Sequence, residues 1–404
     1  MLSKSAFTHN KKGIDSMHKL ALFIAWACVF QMIEFIFPNP FPGVRLGLAN
    51  MITLVVLIQM GFAAALEVAL VRVVISSILV GTFLSPTFTL SFFGALISTI
   101  FMGVAYTASK KQDFLRFSLL GISIIGAVTH TMTQLYLVYF LLIKHTGIFL
   151  LTPWLLISAL IMGIITGIIA RQICMDLDKT DLSIGRKEVR HLLHTSKIYQ
   201  NNAPLPTSPL KYFSPKIKIL YACFLALLVV FIENIYLYLL ILIFTVILAK
   251  IARIPANKLW TGIYKMRFFL GITFILDLFF LKQGPVLLSL AGLQVTQTGI
   301  THGLLFILRL VILLLNSYIV TLSTTTESLA YHLSQLLSPL KFLGFSPKRF
   351  SKIMLMAWML VPYLLERTFR YFKETITHVS ALRHLSKSLS YLIVSSISPS
   401  KNIL

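Results

Sequence analysis

The chain has 404 residues, of which 57% are hydrophobic and 12% charged, with a mean hydropathy of +0.85 and a formal net charge of +23. These proportions exclude an ordinary soluble domain and point to an all-α, polytopic membrane protein, because apolar runs of span length recur along the chain. The positive charge would suit nucleic acid, but it is clustered between the apolar runs, which excludes that partner and follows the positive-inside pattern.

The first six spans are predicted at about 18–37, 43–62, 64–82, 87–108, 117–143 and 149–171. The first has no small-residue cleavage site behind it and reads as a retained span. Lys4, Lys11, Lys12 and Lys19, then Lys110, Lys111 and Arg116, then the basic residues from Arg171 to Arg190 all fall on one side. That side is cytoplasmic, which puts the N-terminus inside the cell membrane and leaves Lys144 and His145 as the one basic pair outside.

Between the first two spans lies PNPFPGVRLGLAN, residues 38–50. Pro38, Pro40 and Pro42 deny the backbone its helical hydrogen bonds and predict a rigid loop, with Arg45 and Asn50 inside the span that follows. A charge in hydrocarbon costs roughly 2.5–3.5 kcal/mol on insertion scales, so Glu34, Arg45, Glu67 and Arg72 are expected to face the bundle interior. Two readings stand. In one, Glu34, Arg45, Asn50, Ser85, His130 and Gln134 line an outward-facing pocket for a small solute with polar or anionic groups, and the Pro-rich loop is its lid. In the other, Glu34–Arg45 and Glu67–Arg72 neutralise one another in a packed bundle. His130 stands beside Thr129, Thr131, Thr133 and Gln134 with no second ligand at metal spacing, so no metal is expected there. Cys28, Cys174 and Cys223 are scattered and read as small packing residues.

Residues 172–216 form the one long polar stretch, ending in NNAPLPTSP at 201–209, and predict a cytoplasmic linker. The domains are therefore placed at 1–174 and 217–404, with 175–216 between them. The aspartates of MDLDKTDL, Asp176, Asp178 and Asp181, are expected to be solvated linker charges. Further spans follow at about 217–232, 235–250, 267–282 and 302–322, with Glu233, Asp277 and Arg309 as isolated intramembrane charges. Lys250, Arg253, Lys258, Lys265 and Arg267 keep the middle turn cytoplasmic and leave 283–300 outside. After Thr321 the pattern becomes amphipathic: Leu329, His332, Leu333, Leu336 and Leu337 share a helix side behind a Ser/Thr cap. Pro339 and Pro347 divide the region into two surface helices, which suit a basic contact with membrane lipid or a platform for a cytoplasmic partner.

No DDxxD run, P-loop, HExxH or GxSxG is present, so neither a catalytic residue nor a cofactor is expected, and any ATP is hydrolysed by another chain.

Two family resemblances cover most of the chain. Glu34 through PNPFPGVRLGLAN, VRVVISSILVGTFLSPTF at 71–88, SFFGALIS at 91–98 and GISIIGAVTHTMTQL at 121–135 resemble the Gx transporter family, also catalogued as heptaprenyl diphosphate synthase component I. Thr131 departs from the asparagine expected after the histidine. LAKIARIPANKLW at 248–260, SLAGLQVTQTGI at 289–300, LRLVILLLNSYIVTLSTTTESL at 308–329 and LLSPLKFLGFSP at 336–347 resemble the transmembrane T component of energy-coupling factor (ECF) transporters. This second resemblance implies coupling helices at 325–375 that touch a substrate-binding S component and a pair of ATPases of the ABC/ECF type. Ala381-Leu382-Arg383 stands in the place of the first ATPase-contacting Arg motif, the arginine expected before Pro362 is replaced in MLVP, and Leu404 arrives before a second motif. For the first half, the S-component likeness implies a small-xxx-small face on the first helix, supplied by Ala21 and Ala25, that leans on coupling-helix residues such as Leu336 and Pro339.

Taken together, the resemblances imply a fused binding and coupling subunit of an ECF-type importer, and the polarity of the pocket residues points to a small polar or amphipathic solute. The alternative is a membrane subunit of an isoprenoid, quinone or flavin system with no transport of its own.

Overall fold

The computed structural model describes residues 2–36, 46–111, 117–143, 146–179, 209–232, 234–265, 267–280, 284–290, 293–336, 346–375 and 382–397. Among them the protein is all-α apart from one two-stranded hairpin. Six helices are long and apolar enough to cross a membrane, and these mark a multi-pass membrane protein.

The first half contains α1 (Leu2–Ile36), α2 (Leu48–Met60), α3 (Phe62–Val80), α4 (Pro86–Lys111), α5 (Leu119–Val138) and α6 (Thr152–Lys179). The predicted second span contracts to α2, whose 13 residues reach about 20 Å and fall short of the hydrocarbon thickness. Gly61, with φ 89° and ψ 179°, turns α2 straight into α3. At the far end of α3, Gly81 takes the left-handed conformation, and two bonds close the helix: Gly81 N–H to Ile78 O at 3.2 Å and Thr82 N–H to Ser77 O at 2.8 Å. Ser118 starts α5 by accepting from Gly121 N–H. A π-helical turn at Tyr139–Ile143 ends that rod. The sixth helix runs past the expected boundary to Lys179, so Asp176 and Asp178 are helical rather than linker residues. Asp178 accepts from Gln59 at 2.8 Å, and Asp176 from Gln172 at 2.9 Å.

The second half contains α7 (Pro215–Phe231), α8 (Ile235–Ile251), α9 (Ala256–Lys265), α10 (Arg267–Phe280), strands β1 (Val286–Leu290) and β2 (Leu293–Thr296), then α11 (Gln297–Leu322), α12 (Thr326–Leu336), α13 (Pro347–Thr375) and α14 (Leu382–Ile397). The strands are antiparallel, pairing Leu290 with Leu293 and Leu288 with Val295. Four of these helices match the predicted spans. The short α9 is an addition inside the predicted turn; the amphipathic region holds α12 and α13, the latter continuing through Pro362, and α14 follows as a third helix. The buried central rod is α11, against which α7, α8, α9 and α10 pack.

One apolar core joins the halves. Phe23, Trp26 and Phe30 of α1 share it with Phe350, Met354 and Leu360 of α13 and with Leu389 and Ile393 of α14. Polar contacts fasten the seam: Trp26 Nε1 donates to Ser396 Oγ at 2.8 Å, and Ser390 Oγ to Asp176 Oδ2 at 2.6 Å.

A second seam brings the far end of the first bundle to α11. Ser317 Oγ donates to Gly81 O at 2.8 Å, only five residues before α11 ends. Residues near the same end of the first bundle, Leu135, Ile148 and Leu155, pack against Phe306 and Leu310. Gly81, Leu135, Ile148 and Leu155 of the first bundle thus meet α11 along the stretch from Phe306 to Ser317.

Candidate functional site

The site begins with one buried cation. Arg72 lies in the apolar helix FAAALEVALVRVVISSILV and is only 4% exposed. A guanidinium withdrawn from water is stable only where acceptors replace its hydration. Two neighbouring helices supply them: Nη1 donates to Gln31 Oε1 of α1 at 3.0 Å, and Nη2 donates to Asn50 Oδ1 of α2. Asn50 is held because Gly47, with φ 72°, opens α2 and its carbonyl accepts from Asn50 N–H at 3.0 Å. One turn after Gln31, the Glu34 carboxylate accepts from the Leu48 main-chain N–H.

These groups line a cavity of about 50 Å³ that also touches α4, α5 and α6. Across it stands His130, whose ring has space because position 94 is glycine; a Cβ there would come within 2.9 Å of the imidazole. The Gln134 amide donates to His130 Nε2 at 3.1 Å and to Leu90 O at 3.3 Å. A neutral imidazole accepting at Nε2 carries its proton on Nδ1. Ser123 and Thr166 meet at 3.1 Å between α5 and α6, and Ser91 and Thr131 complete the polar lining. At roughly 10–15 Å³ of such space per water, the cavity holds a few waters or one polar group of a larger solute. A complete solute needs the lining to part. Chemically, the site offers a fixed cation beside a carboxylate, three amides, an imidazole and four hydroxyls.

Four predicted residues therefore meet at one cavity: Glu34, Asn50, His130 and Gln134. Ser85 does not line it. Its hydroxyl donates to Thr82 O at 2.5 Å and accepts from Phe88 N–H at 3.4 Å, which makes it a turn and cap residue at the start of α4. Arg45 lies outside the described residues. Arg72 and Glu67 do not neutralise each other: Arg72 is held by the two amides, and Glu67 pairs with Arg349 of α13 at 3.5 Å. Reasoning from sequence placed Arg72 in the interior without assigning it to the site, and it missed Gln31, Ser91, Ser123 and Thr166. A signal existed for Gln31, a polar residue one turn before Glu34. None existed for the hydroxyl residues, which in membrane helices commonly bond their own backbone, as Thr166 does to Met162 O at 2.7 Å.

The predicted coupling residues are distributed along the seam. Ala21 and Ala25 are buried in α1, which packs on α13. Leu336 ends α12 and packs on the shared core. Pro339 lies outside the described residues, and Arg383 is in the first turn of α14, with its side chain outside them.

Comparison with known proteins gives each half its own match. Residues 23–173 match the family model of heptaprenyl diphosphate synthase component I, and residues 206–385 match that of cobalt transport protein. The second half is also similar to curated energy-coupling factor transporter transmembrane proteins EcfT. The Bacillus subtilis (strain 168) protein is 28% identical over 163 residues, covering 40% of this chain and 61% of the relative. That of Leuconostoc gelidum subsp. gasicomitatum is 33% identical over 123 residues, covering 30% and 46%. That of Acidaminococcus fermentans is 31% identical over 163 residues, covering 40% and 60%. The chain thus spans about half to three-fifths of the length of these relatives. Both resemblances read from the sequence stand: a component I-type domain precedes a T-component-like domain in one polypeptide.

Proposed function

We propose that this chain is the membrane part of an energy-coupling factor type importer in the cell membrane. Its first half, residues 1–174, binds a small polar or anionic solute, and its second half, residues 217–404, couples binding to ATP hydrolysis by separate ATPase chains. Residues 175–216 connect them on the cytoplasmic side, where the basic residues also put the N-terminus.

The observation that carries this reading is the Arg72 cavity. A buried guanidinium held by amides from two further helices is costly unless used, and intramembrane charges of this kind commonly mark solute pathways. Arg72 supplies the anion contact. His130 and Gln134 supply a donor and acceptors for the rest of the solute. The packing of α1 on amphipathic α13 gives a direct mechanical path from the binding half to the coupling half, since Gln31 and Glu34 of the cavity belong to that same α1. Fusion fixes the stoichiometry at one to one and holds the halves at high effective concentration.

Affinity purification from native membranes, with mass spectrometry of proteins and bound small molecules, tests this directly. Co-purification of an ATPase pair and a solute that R72Q loses supports the proposal. Recovery of a soluble prenyl synthase or a flavoprotein, with neither ATPase nor solute, overturns it and makes the chain a membrane subunit of another system.

A further inference from the structure

The short helix α9 (Ala256–Lys265) presents a face to its surroundings that neither half's role explains. Leu259, Gly262 and Ile263 turn inward, and a Cβ on Gly262 would come within 2.7 Å of Tyr318 Oη of α11. The opposite stripe, Asn257, Trp260, Thr261 and Tyr264, follows helical spacing and is exposed, with Trp260 at 69% and Tyr264 at 53%. Two large aromatic rings on an open helix face call for an occupant.

The electrostatics around that face narrow the choice. From Asn234 to Leu276 the sequence contains Lys250, Arg253, Lys258, Lys265 and Arg267 and no acidic residue. Lys250, Arg253 and Arg267 are exposed, and the Arg267 guanidinium lies 3.7 Å from the centre of the Tyr264 ring. Helix α9 also sits between the apolar helices α8 and α10, where chain leaves and re-enters the apolar layer. Tryptophan and tyrosine flanked by lysine and arginine at such a boundary match the region of lipid headgroups.

Backbone conformation adds an independent observation. Helix α8 closes with Arg253 N–H donating to Lys250 O at 2.9 Å and Ile254 N–H to Ala249 O at 3.1 Å. This is the same closing pattern as at the end of α3, where the left-handed position is held by Gly81. Here it is held by Arg253, with φ 54°. An L residue with a Cβ is strained in that conformation, and such strain persists where the side chain serves a purpose. The purpose that fits is to hold a cation at the headgroup level.

We propose that the Trp260–Tyr264 face of α9, with Lys250, Arg253 and Arg267 around it, is a docking surface for the phosphate headgroups of anionic phospholipid. The aromatic rings seat among the glycerol and upper acyl groups, and the three cations take the phosphates. This surface is independent of the solute cavity and of the transport reading.

The test uses the full-length chain in detergent with equimolar phosphatidylglycerol and phosphatidylcholine, reading retained lipid by native mass spectrometry. Wild type is expected to retain phosphatidylglycerol in preference. R253G is expected to reduce that preference by about fivefold, one cation's share near a charged membrane surface. Because glycine relieves the left-handed strain, R253G should melt no lower than wild type, which separates lost contact from lost fold. In nanodiscs, brominated phosphatidylglycerol should quench tryptophan emission more than brominated phosphatidylcholine, and W260F should remove the difference. Equal retention of the two lipids by wild type, or full preference in R253G, overturns the proposal. Displacement of phosphatidylglycerol by millimolar inorganic phosphate also overturns it, by assigning the cations to a free anion.

Discussion

The Arg309 guanidinium of the second half donates from Nη1 to the main-chain carbonyl of Leu141 in the first, at 3.1 Å. Leu141 belongs to the π-helical turn that ends the α5 rod, where a carbonyl is released from regular helical bonding. Arg309 Nε donates to Tyr238 Oη at 3.0 Å, and the single proton of that hydroxyl is shared between Val229 O and Ile232 O, with Val229 O the nearer. One side chain therefore ties three helices of the second half to the element that carries His130 and Gln134.

Arg309→Met should loosen this seam. It removes charge-assisted bonds and leaves Tyr238 Oη and the Leu141 carbonyl less satisfied, a loss of about 1.5–3 kcal/mol. Thermal unfolding in detergent should drop accordingly, while Tyr238→Phe should lose only about 1 kcal/mol. Equal melting of Arg309→Met and wild type would show that the halves are held elsewhere.

Arg72→Gln should abolish solute retention, and Arg72→Lys should recover only part of it, because an ammonium cannot reproduce a planar fork held by Gln31 and Asn50. Losing one charge-assisted contact predicts a drop in affinity of about 10- to 100-fold. Equilibrium binding on protein that still elutes as a single species provides the readout.

Tyr318 is clasped by a glycine from each half. A Cβ at Gly81 would meet its ring at 2.6 Å, and one at Gly262 its hydroxyl at 2.7 Å. Gly262→Val should cost about 1–3 kcal/mol by overpacking. Combining it with Tyr318→Ala should recover part of that cost, since the clash partner is gone. A double-mutant cycle on melting free energies checks the coupling, and strict additivity would exclude the clasp.

The Glu67–Arg349 pair, although it joins α3 to α13, should contribute little. Arg349 is 50% exposed and the separation is 3.5 Å, so solvent screens the pair. Glu67→Gln is predicted to change stability by less than about 1 kcal/mol. A larger drop would mean that this contact, rather than the α1–α13 core, fastens the coupling helices.

The sequence by itself determined the class of the molecule, its division into two unlike halves, the amphipathic character of the last helices and most of the spans. Each rests on composition or on hydropathy along a single segment. It also singled out Glu34, Asn50, His130 and Gln134, because isolated polar groups in apolar runs need partners wherever the helices go. Pairing was beyond its reach. Glu67 and Arg72 share a helix and invite a local pairing, yet one partner comes from α13 and the others from α1 and α2. The role of Ser85 as a cap, the helical state of Asp176 and the left-handed position of Arg253 likewise depend on backbone geometry that composition does not encode. The tertiary structure also decided how the halves meet. Hydropathy does not show which segments meet: α1 lies along α13, while the far end of its bundle reaches α11 through Gly81 and Ser317. That arrangement is set by side-chain packing between segments more than 200 residues apart in the chain.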